Sequence, residues 1–156
     1  MEVNSSRFGM LSIDEDSIIT FPRGLPAFEE TRSFFVLNHS GGANLMWLHS
    51  ADNPELALLV IDPFLVFAGY EPDIPDESLA EIGVKCPEDA LVLAVVSVRG
   101  HEGKADGSVS VTANLAAPIV ISRSRRQGEQ VVLRGTEYST RHGVVGCGKH
   151  DQVAGE

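Results

Sequence analysis

The chain has 156 residues, of which 43% are hydrophobic and 22% are charged, and its net charge at pH 7 is −10. This length fits one domain with a sizeable core, and the composition excludes a chain that is disordered throughout. The 22 acidic residues against 12 basic ones argue against binding to nucleic acid or to an anionic membrane surface, because both carry negative charge. They favour a basic partner; the alternative is that the negative charge only keeps the protein soluble.

The cellular location follows from what the chain lacks. The first 20 residues contain no apolar signal-peptide core, and the most apolar runs, 56–61 and 90–98, are far shorter than the ~20 residues that span a bilayer. Cys86 and Cys147 lie far apart in unlike contexts, which is not a disulfide framework. We therefore expect a cytoplasmic protein.

Short β-branched and aromatic runs, separated by Gly, Pro, Asn and Asp, predict strands along most of the chain. The predicted strands are 6–8, 10–13, 18–21, 34–37, 45–49, 56–61, 64–70, 91–98, 109–113, 118–122 and 130–134. Their even spacing predicts a mainly β domain, either a sandwich or a closed barrel. The run 90–96 is apolar on both faces, so we expect it to be a central strand.

One short helix is predicted over residues 75–83. Asp76 and Glu77 stand in its first turn, where the helix dipole favours acids, Leu79 and Ile82 share one apolar stripe, and Gly83 is a natural stop. The domain is expected to span residues 1–142, and the Gly-rich residues 143–156 are expected to form a flexible tail.

Charge is unevenly distributed along the chain. Residues 71–89 contain seven acids and one base, whereas residues 123–141 contain five arginines and two glutamates. This predicts opposite local potentials in the two segments, and the alternative is that the arginines only solvate a loop.

Catalytic chemistry finds little support. His49, Ser50 and Asp52 are the residue types of a hydrolase triad, but neighbouring strand residues point to opposite faces and there is no nucleophile elbow. We interpret them as a strand end followed by a turn in which Asp52 bonds local backbone. A small β-fold hydrolase is the alternative, and no catalytic residue is predicted.

Metal and cofactor binding are not predicted either. Cys147 and His150, even with His142, give too few ligands on a segment without a scaffold. Trp47 is predicted to pack in the core, and a position facing a partner is its alternative. Asn114, set among small residues before the apolar run 119–121, is interpreted as a turn residue closing a hairpin, and contact of Asn114 and Leu115 with a partner is the alternative.

Several segments, in order, resemble the flagellar assembly factor FliW family. The motifs that carry the resemblance are F-P-R-G-L-P-A-F-E at 21–29, W-L-H-S-A-D-N-P at 47–54, T-A-N-L-A-A-P-I-V-I at 112–121, and further matches at 7–14, 62–70 and 126–141. Ala27 departs from the family, which usually has Gly there. If this position needs a positive φ, Ala27 is strained.

The resemblance implies a small antiparallel β pseudo-barrel of two packed sheets and a non-enzymatic function. FliW proteins bind flagellin in the cytoplasm, and they bind and antagonise CsrA, a basic RNA-binding dimer that represses flagellin mRNA. A chaperone that binds flagellin alone is the alternative. The net charge of −10 suits a basic partner, so we expect the CsrA-binding surface to include Glu71, Asp73, Asp76 and Glu77. We expect a monomer that binds neither nucleic acid nor membrane.

Overall fold

The computed structural model describes residues 1–38, 45–100 and 109–144. The strands are β1 Glu2–Ser5, β2 Gly9–Ser12, β3 Ile19–Thr20, β4 Ser33–Asn38, β5 Leu45–Ser50, β6 Ala57–Ile61, β7 Ala90–Gly100, β8 Val109–Ala113, β9 Ile119–Ser122, β10 Gln127–Gln130 and β11 His142–Gly143. The helices are α1 Pro63–Val66 and α2 Asp76–Ile82, and single 3₁₀ turns cover Glu15–Ser17 and Pro87–Asp89. The predicted mainly β class is confirmed.

The main sheet closes into a barrel. Its strand order is β11-β8-β7-β6-β5-β4-β3-β10-β9, and β9 also pairs with β7. The long strand β7 makes the closure possible, because its first residues pair with β9 while its last residues pair with β8. Among the described strands all pairings are antiparallel except the parallel one between β10 and β3. Closure removes strand edges, which is how many β domains avoid unwanted pairing.

Three apolar clusters surround the central strands. The barrel interior contains Ile19, Phe21, Leu25, Phe34, Leu48, Leu56, Val60, Leu93, Ile119 and Ile121. A second cluster covers the other face of β7 and includes Tyr70, Val92 and Leu115, and a third holds α2 against β9 through Ile82 and Val120. Both faces of β7 are therefore buried near its start, as its continuous apolar run predicts.

The first two strands form a separate hairpin on the outside of the barrel. The predicted strand 6–8 is wrong, because these residues make the turn, in which Ser5 Oγ accepts hydrogen bonds from the backbone of Arg7 and Phe8. Phe8 packs edge-on against Trp47 at 5.7 Å between ring centroids, and the Arg7 guanidinium lies 4.7 Å over the same ring. Trp47 is thus half-buried under the hairpin and lies outside the barrel interior.

The predicted strand 64–70 is also wrong. Asp62 caps a short helix there by accepting a hydrogen bond from the Phe64 backbone at 3.0 Å, and Pro63 occupies the first helical position, where its fixed φ is favourable. The Asp-Pro pair is a helix-start signal, and here it outweighs the strand preference of the aromatic run that follows. The second helix ends as predicted, at Gly83 with φ of 86°.

The end of the domain differs slightly from expectation. The predicted strand 130–134 lies earlier, at Gln127–Gln130, although Val131 and Leu133 still donate backbone hydrogen bonds to the segment before β9. Strand β11 includes Gly143, and Val144 is buried. Residues 145–156 of the predicted tail lie outside the described residues.

The loop after β3 contains the position at which this chain departs from the family motif. Ala27 has φ of 72°, a left-handed conformation that costs residues with a Cβ about 1–2 kcal/mol. The expected strain at Ala27 is confirmed. Its backbone N–H donates to Glu29 Oε2 at 3.0 Å, which holds the turn.

Candidate partner-binding surface

Four exposed carboxylates follow one another from the segment after α1 into the first turn of α2. The segment from Tyr70 to Ile74 alternates between side chains held against the barrel and side chains that face solvent, and α2 then continues the exposed series. We call these four residues the acidic ridge: Glu71, Asp73, Asp76 and Glu77. Among the described residues the salt bridge is Arg23–Glu81, so none of the four carboxylates forms a salt bridge with a described cation.

An open groove of about 720 Å³ lies on one side of the acidic ridge. Its floor and walls are mostly apolar, and three ridge carboxylates stand on its rim. The large apolar and aromatic lining residues are Phe64, Tyr70, Ile74, Leu79, Val84 and Val92. The charged and thiol side chains that line it are Glu71, Asp73, Asp76, Lys85 and Cys86. Small residues and prolines complete the lining: Pro72, Ala80, Pro87 and Ala90. These segments are distant in sequence, and α1, which lies where a strand is predicted, supplies Phe64, so local sequence patterns do not predict the groove.

A second, polar pocket of about 550 Å³ lies on the other side of the ridge. Glu71 and Asp73 line it together with Arg134, Tyr138 and His142. The two carboxylates therefore stand between an apolar groove and a polar pocket. A partner that covers the ridge meets both kinds of surface, which is the usual anatomy of an interface with an apolar core and a polar rim.

Two tyrosines hold the ridge in place. The backbone N–H of Glu71 donates to the Tyr138 hydroxyl at 2.8 Å, and the Tyr138 ring packs edge-on against Tyr70 at 4.7 Å. The Tyr70 hydroxyl donates to the Leu115 carbonyl at 2.8 Å. Burial, with the Tyr138 hydroxyl as a second cause, raises the pKa of Tyr70 to about 12. Tyr70 therefore remains a protonated donor at neutral pH.

The turn at Asn114 lies next to Tyr70, whose hydroxyl bonds to the Leu115 carbonyl. Asn114 Oδ1 accepts hydrogen bonds from the backbone of Ala116 at 3.1 Å and Ala117 at 3.0 Å, so its predicted turn role is confirmed. The predicted hairpin is wrong, because the turn joins β8 to β9, which both pair with β7 and not with each other. Leu115 is only 1% exposed, and its side chain lies in the core. Contact of this pair with a partner stays a prediction.

The charged segments lie closer together than their separation in sequence indicates. Arg125 packs against Gly83 at the end of α2, and Arg134 borders the same pocket as Glu71 and Asp73. Two of the five arginines, Arg125 and Arg134, therefore lie beside the acidic segment, and the predicted opposite potentials stay a prediction.

The hydrolase residues do not form a triad. His49 is buried, with Nδ1 2.7 Å from the Ser50 carbonyl and Nε2 2.8 Å from Ser5 Oγ. Because a carbonyl only accepts, Nδ1 carries the proton and Nε2 accepts from the Ser5 hydroxyl. Asp52 accepts from the backbone of Arg32 and Ser33, which corrects the predicted local bond. Each side chain thus has a structural partner.

The groove also lacks the groups that an enzyme of this kind needs. Cys86 lines it, but no histidine is among the lining residues, so the groove contains no cysteine–histidine pair. Across the described ranges, no group of three or more His, Cys, Asp or Glu side chains is arranged to hold a metal ion. Cys147 and His150 lie outside those ranges, and His142 packs edge-on against Phe67 at 4.4 Å.

Membrane insertion through a helix has no support in the part of the chain that the structure covers. Neither described helix approaches the length and apolarity that a bilayer-spanning helix requires.

Comparisons with known proteins agree on one family. The sequence model of the FliW protein family matches residues 2–144. The chain is 43% identical over 143 residues to the flagellar assembly factor FliW of Moorella thermoacetica, covering 91% of this chain and 87% of the relative. It is 34% identical over 145 residues to that of Syntrophus aciditrophicus, covering 93% and 88%.

A solved structure gives the same result. The fold superimposes on a crystal structure of the flagellar assembly factor FliW with a TM-score of 0.80, at 30% identity, covering 92% of this chain and 96% of that one. Sequence and fold therefore converge, and the chain belongs to the FliW family of flagellar assembly factors.

Proposed function

We propose that this protein is a non-enzymatic cytoplasmic factor that binds flagellin and also binds and antagonises CsrA. The proposal extends its place among flagellar assembly factors to the two partners that the family resemblance implies. The observation that carries it is the acidic ridge, four exposed carboxylates that form no described salt bridge, beside an apolar groove.

Charge supports the choice of CsrA as a partner. The chain has a net charge of −10, and a basic RNA-binding protein is attracted by the resulting field before contact is made. Complementary potentials raise the association rate and disfavour acidic competitors. A cluster that has no described ion pair loses no existing salt bridge when a basic partner docks.

Antagonism then requires only occupancy. CsrA that is held on this surface is removed from flagellin mRNA, and flagellin bound to the same molecule releases it. The matching of flagellin synthesis to export follows from this exchange. The backbone of the ridge is already held at Glu71 by Tyr138, which packs on Tyr70, and this reduces the ordering cost of binding.

The test reverses the charge of the acidic ridge. The variant Glu71→Lys, Asp73→Lys, Asp76→Lys, Glu77→Lys is titrated with purified CsrA at low and high salt, beside a control with the same net charge. The control carries Lys at four other exposed acids: Glu2, Glu15, Asp16 and Glu55.

We expect the ridge variant to bind CsrA at least about ten-fold more weakly, with a flatter salt dependence, and the control to stay within about three-fold of wild type, since remote charges are screened beyond about 10 Å. Equal affinities of all three proteins would dismiss the ridge. Binding of flagellin without any CsrA binding would instead support the flagellin-only chaperone.

A further inference from the structure

We infer that the groove beside the acidic ridge holds an extended or helical segment of the basic partner in which apolar side chains are flanked by Lys or Arg. The inference rests on the proposed function, since it assigns the groove to CsrA. Apolar side chains of the segment fill the groove, and its basic groups reach Glu71, Asp73 and Asp76.

The first argument is the exposed apolar surface of the groove. Phe64 is 49% exposed although it lines the groove, and its ring lies 5.6 Å from Tyr70. Large apolar groups that face an open concavity indicate a contact site more strongly than scattered ones. Aromatic side chains in such pockets contribute most to binding when a partner covers them.

The second argument is that the groove is built on rigid elements. Ala90 and Val92 belong to β7, where they pair with Ser122 and Val120 of β9. Helix α2 is anchored by Ile82, which is 2% exposed. A partner segment therefore docks on a surface that already has its shape, and the cost of ordering the receptor is small.

The third argument is the charge of the rim, and it selects the occupant. Three carboxylates of the acidic ridge line the groove, against one cation, Lys85. An acidic segment meets net repulsion there, and a neutral one leaves the rim carboxylates without partners. A segment with Lys or Arg beside its apolar side chains can pack on the apolar lining and pair with the rim carboxylates at the same time.

Cys86 provides a direct probe of occupancy. Its thiol is exposed and lines the groove, and the only other cysteine in the sequence is Cys147. In a Cys147→Ser protein, alkylation by N-ethylmaleimide therefore reports on Cys86 alone. Saturating CsrA is expected to slow this alkylation at least ten-fold. An unchanged rate with bound CsrA would overturn the inference while leaving the proposed function intact.

Two neighbouring residues provide a matched pair of variants. Phe64 and Leu65 both belong to α1 and both are exposed, at 49% and 65%, but only Phe64 lines the groove. We expect Phe64→Ser to weaken CsrA binding about ten-fold, the usual scale for an aromatic anchor, and Leu65→Ser to stay within two-fold. Equal affinities of the two variants would overturn the inference, and thermal melts confirm that both are folded.

A peptide probe decides the groove without CsrA. A peptide of alternating Leu and Lys is expected to protect Cys86, a peptide of alternating Leu and Glu is not, and Phe64→Ser is expected to reduce the protection about ten-fold. If CsrA fails to bind while the Leu–Lys peptide protects Cys86, the proposed function is wrong and the basic, apolar preference of the groove stands. Equal protection by both peptides would overturn that preference.

Discussion

Tyr70→Phe isolates one hydrogen bond beneath the acidic ridge. The Tyr70 hydroxyl donates to the Leu115 carbonyl at 2.8 Å, and within the described ranges this carbonyl accepts no other hydrogen bond. Tyr70 is 4% and Leu115 1% exposed, so water cannot easily replace the lost donor. Phenylalanine keeps the ring and its packing, which leaves the unsatisfied carbonyl as the main change.

The magnitude follows from burial. A buried acceptor that loses its partner costs about 1–3 kcal/mol, and a change of 1 kcal/mol lowers the melting temperature of a chain of this size by about 2–4 °C. We therefore expect Tyr70→Phe to lower the melting temperature by about 2–12 °C. The m-value is expected to stay constant, because the surface exposed on unfolding is the same.

Tyr138→Phe is the matched control. Its hydroxyl accepts from the backbone N–H of Glu71, an exposed residue at which water can take the place of the lost group, so the expected loss is about 0.5 kcal/mol or less. Both variants are unfolded in urea beside wild type. If Tyr70→Phe is no less stable than Tyr138→Phe, the buried bond does not support the ridge as described.

Three further predictions concern stability. Ala27→Gly relieves a positive φ of 72° and is expected to stabilise the protein by about 0.5–1 kcal/mol, net of the greater flexibility of unfolded glycine, as measured by urea unfolding; lower stability would contradict the strain. Burial, together with the hydrogen bond and charge of Glu81, raises the pKa of Glu129, so its carboxylate destabilises the fold most above that raised pKa. Glu129→Gln should therefore melt higher than wild type at pH 7, with the advantage shrinking as the pH falls through the raised pKa and gone below the ordinary glutamate pKa. Desolvation acts to raise the pKa of Asp89, but hydrogen bonds from the Ser124 backbone and from two serine hydroxyls outweigh it, and the pKa is lowered. Asp89→Asn should therefore melt lower than wild type at pH 7 and approach wild type as acid protonates the native carboxylate. A difference in melting temperature that is independent of pH would refute this.

Local patterns predicted the elements that depend on local chemistry. The apolar run of β7 marked a strand that is covered on both faces, Gly83 marked the end of α2, and Asn114 marked a turn. The errors arose where two local signals competed. At residues 62–66 the Asp-Pro helix start outweighs an aromatic run that favours strand. At residues 6–8 the hydrogen bonds that Ser5 Oγ accepts from the backbone of Arg7 and Phe8 stabilise a turn in place of the predicted strand.

The candidate surface could be predicted only in part. Charge density along the chain identified the acidic ridge, and all four of its carboxylates are exposed. The groove could not be found in this way, because Phe64, Leu79 and Val92 meet only after the barrel has closed. The support that Tyr138 gives to Glu71 spans 67 residues, and no local pattern encodes such a contact.

The most direct measurement is a calorimetric titration of the purified chain with CsrA, repeated after saturation with flagellin. We expect the free chain to bind CsrA, with an affinity that falls as salt rises, and the chain loaded with flagellin to bind it far more weakly. Absence of heat with CsrA and with flagellin, in a protein that melts cooperatively, would contradict the proposal that this molecule acts by occupying other polypeptides.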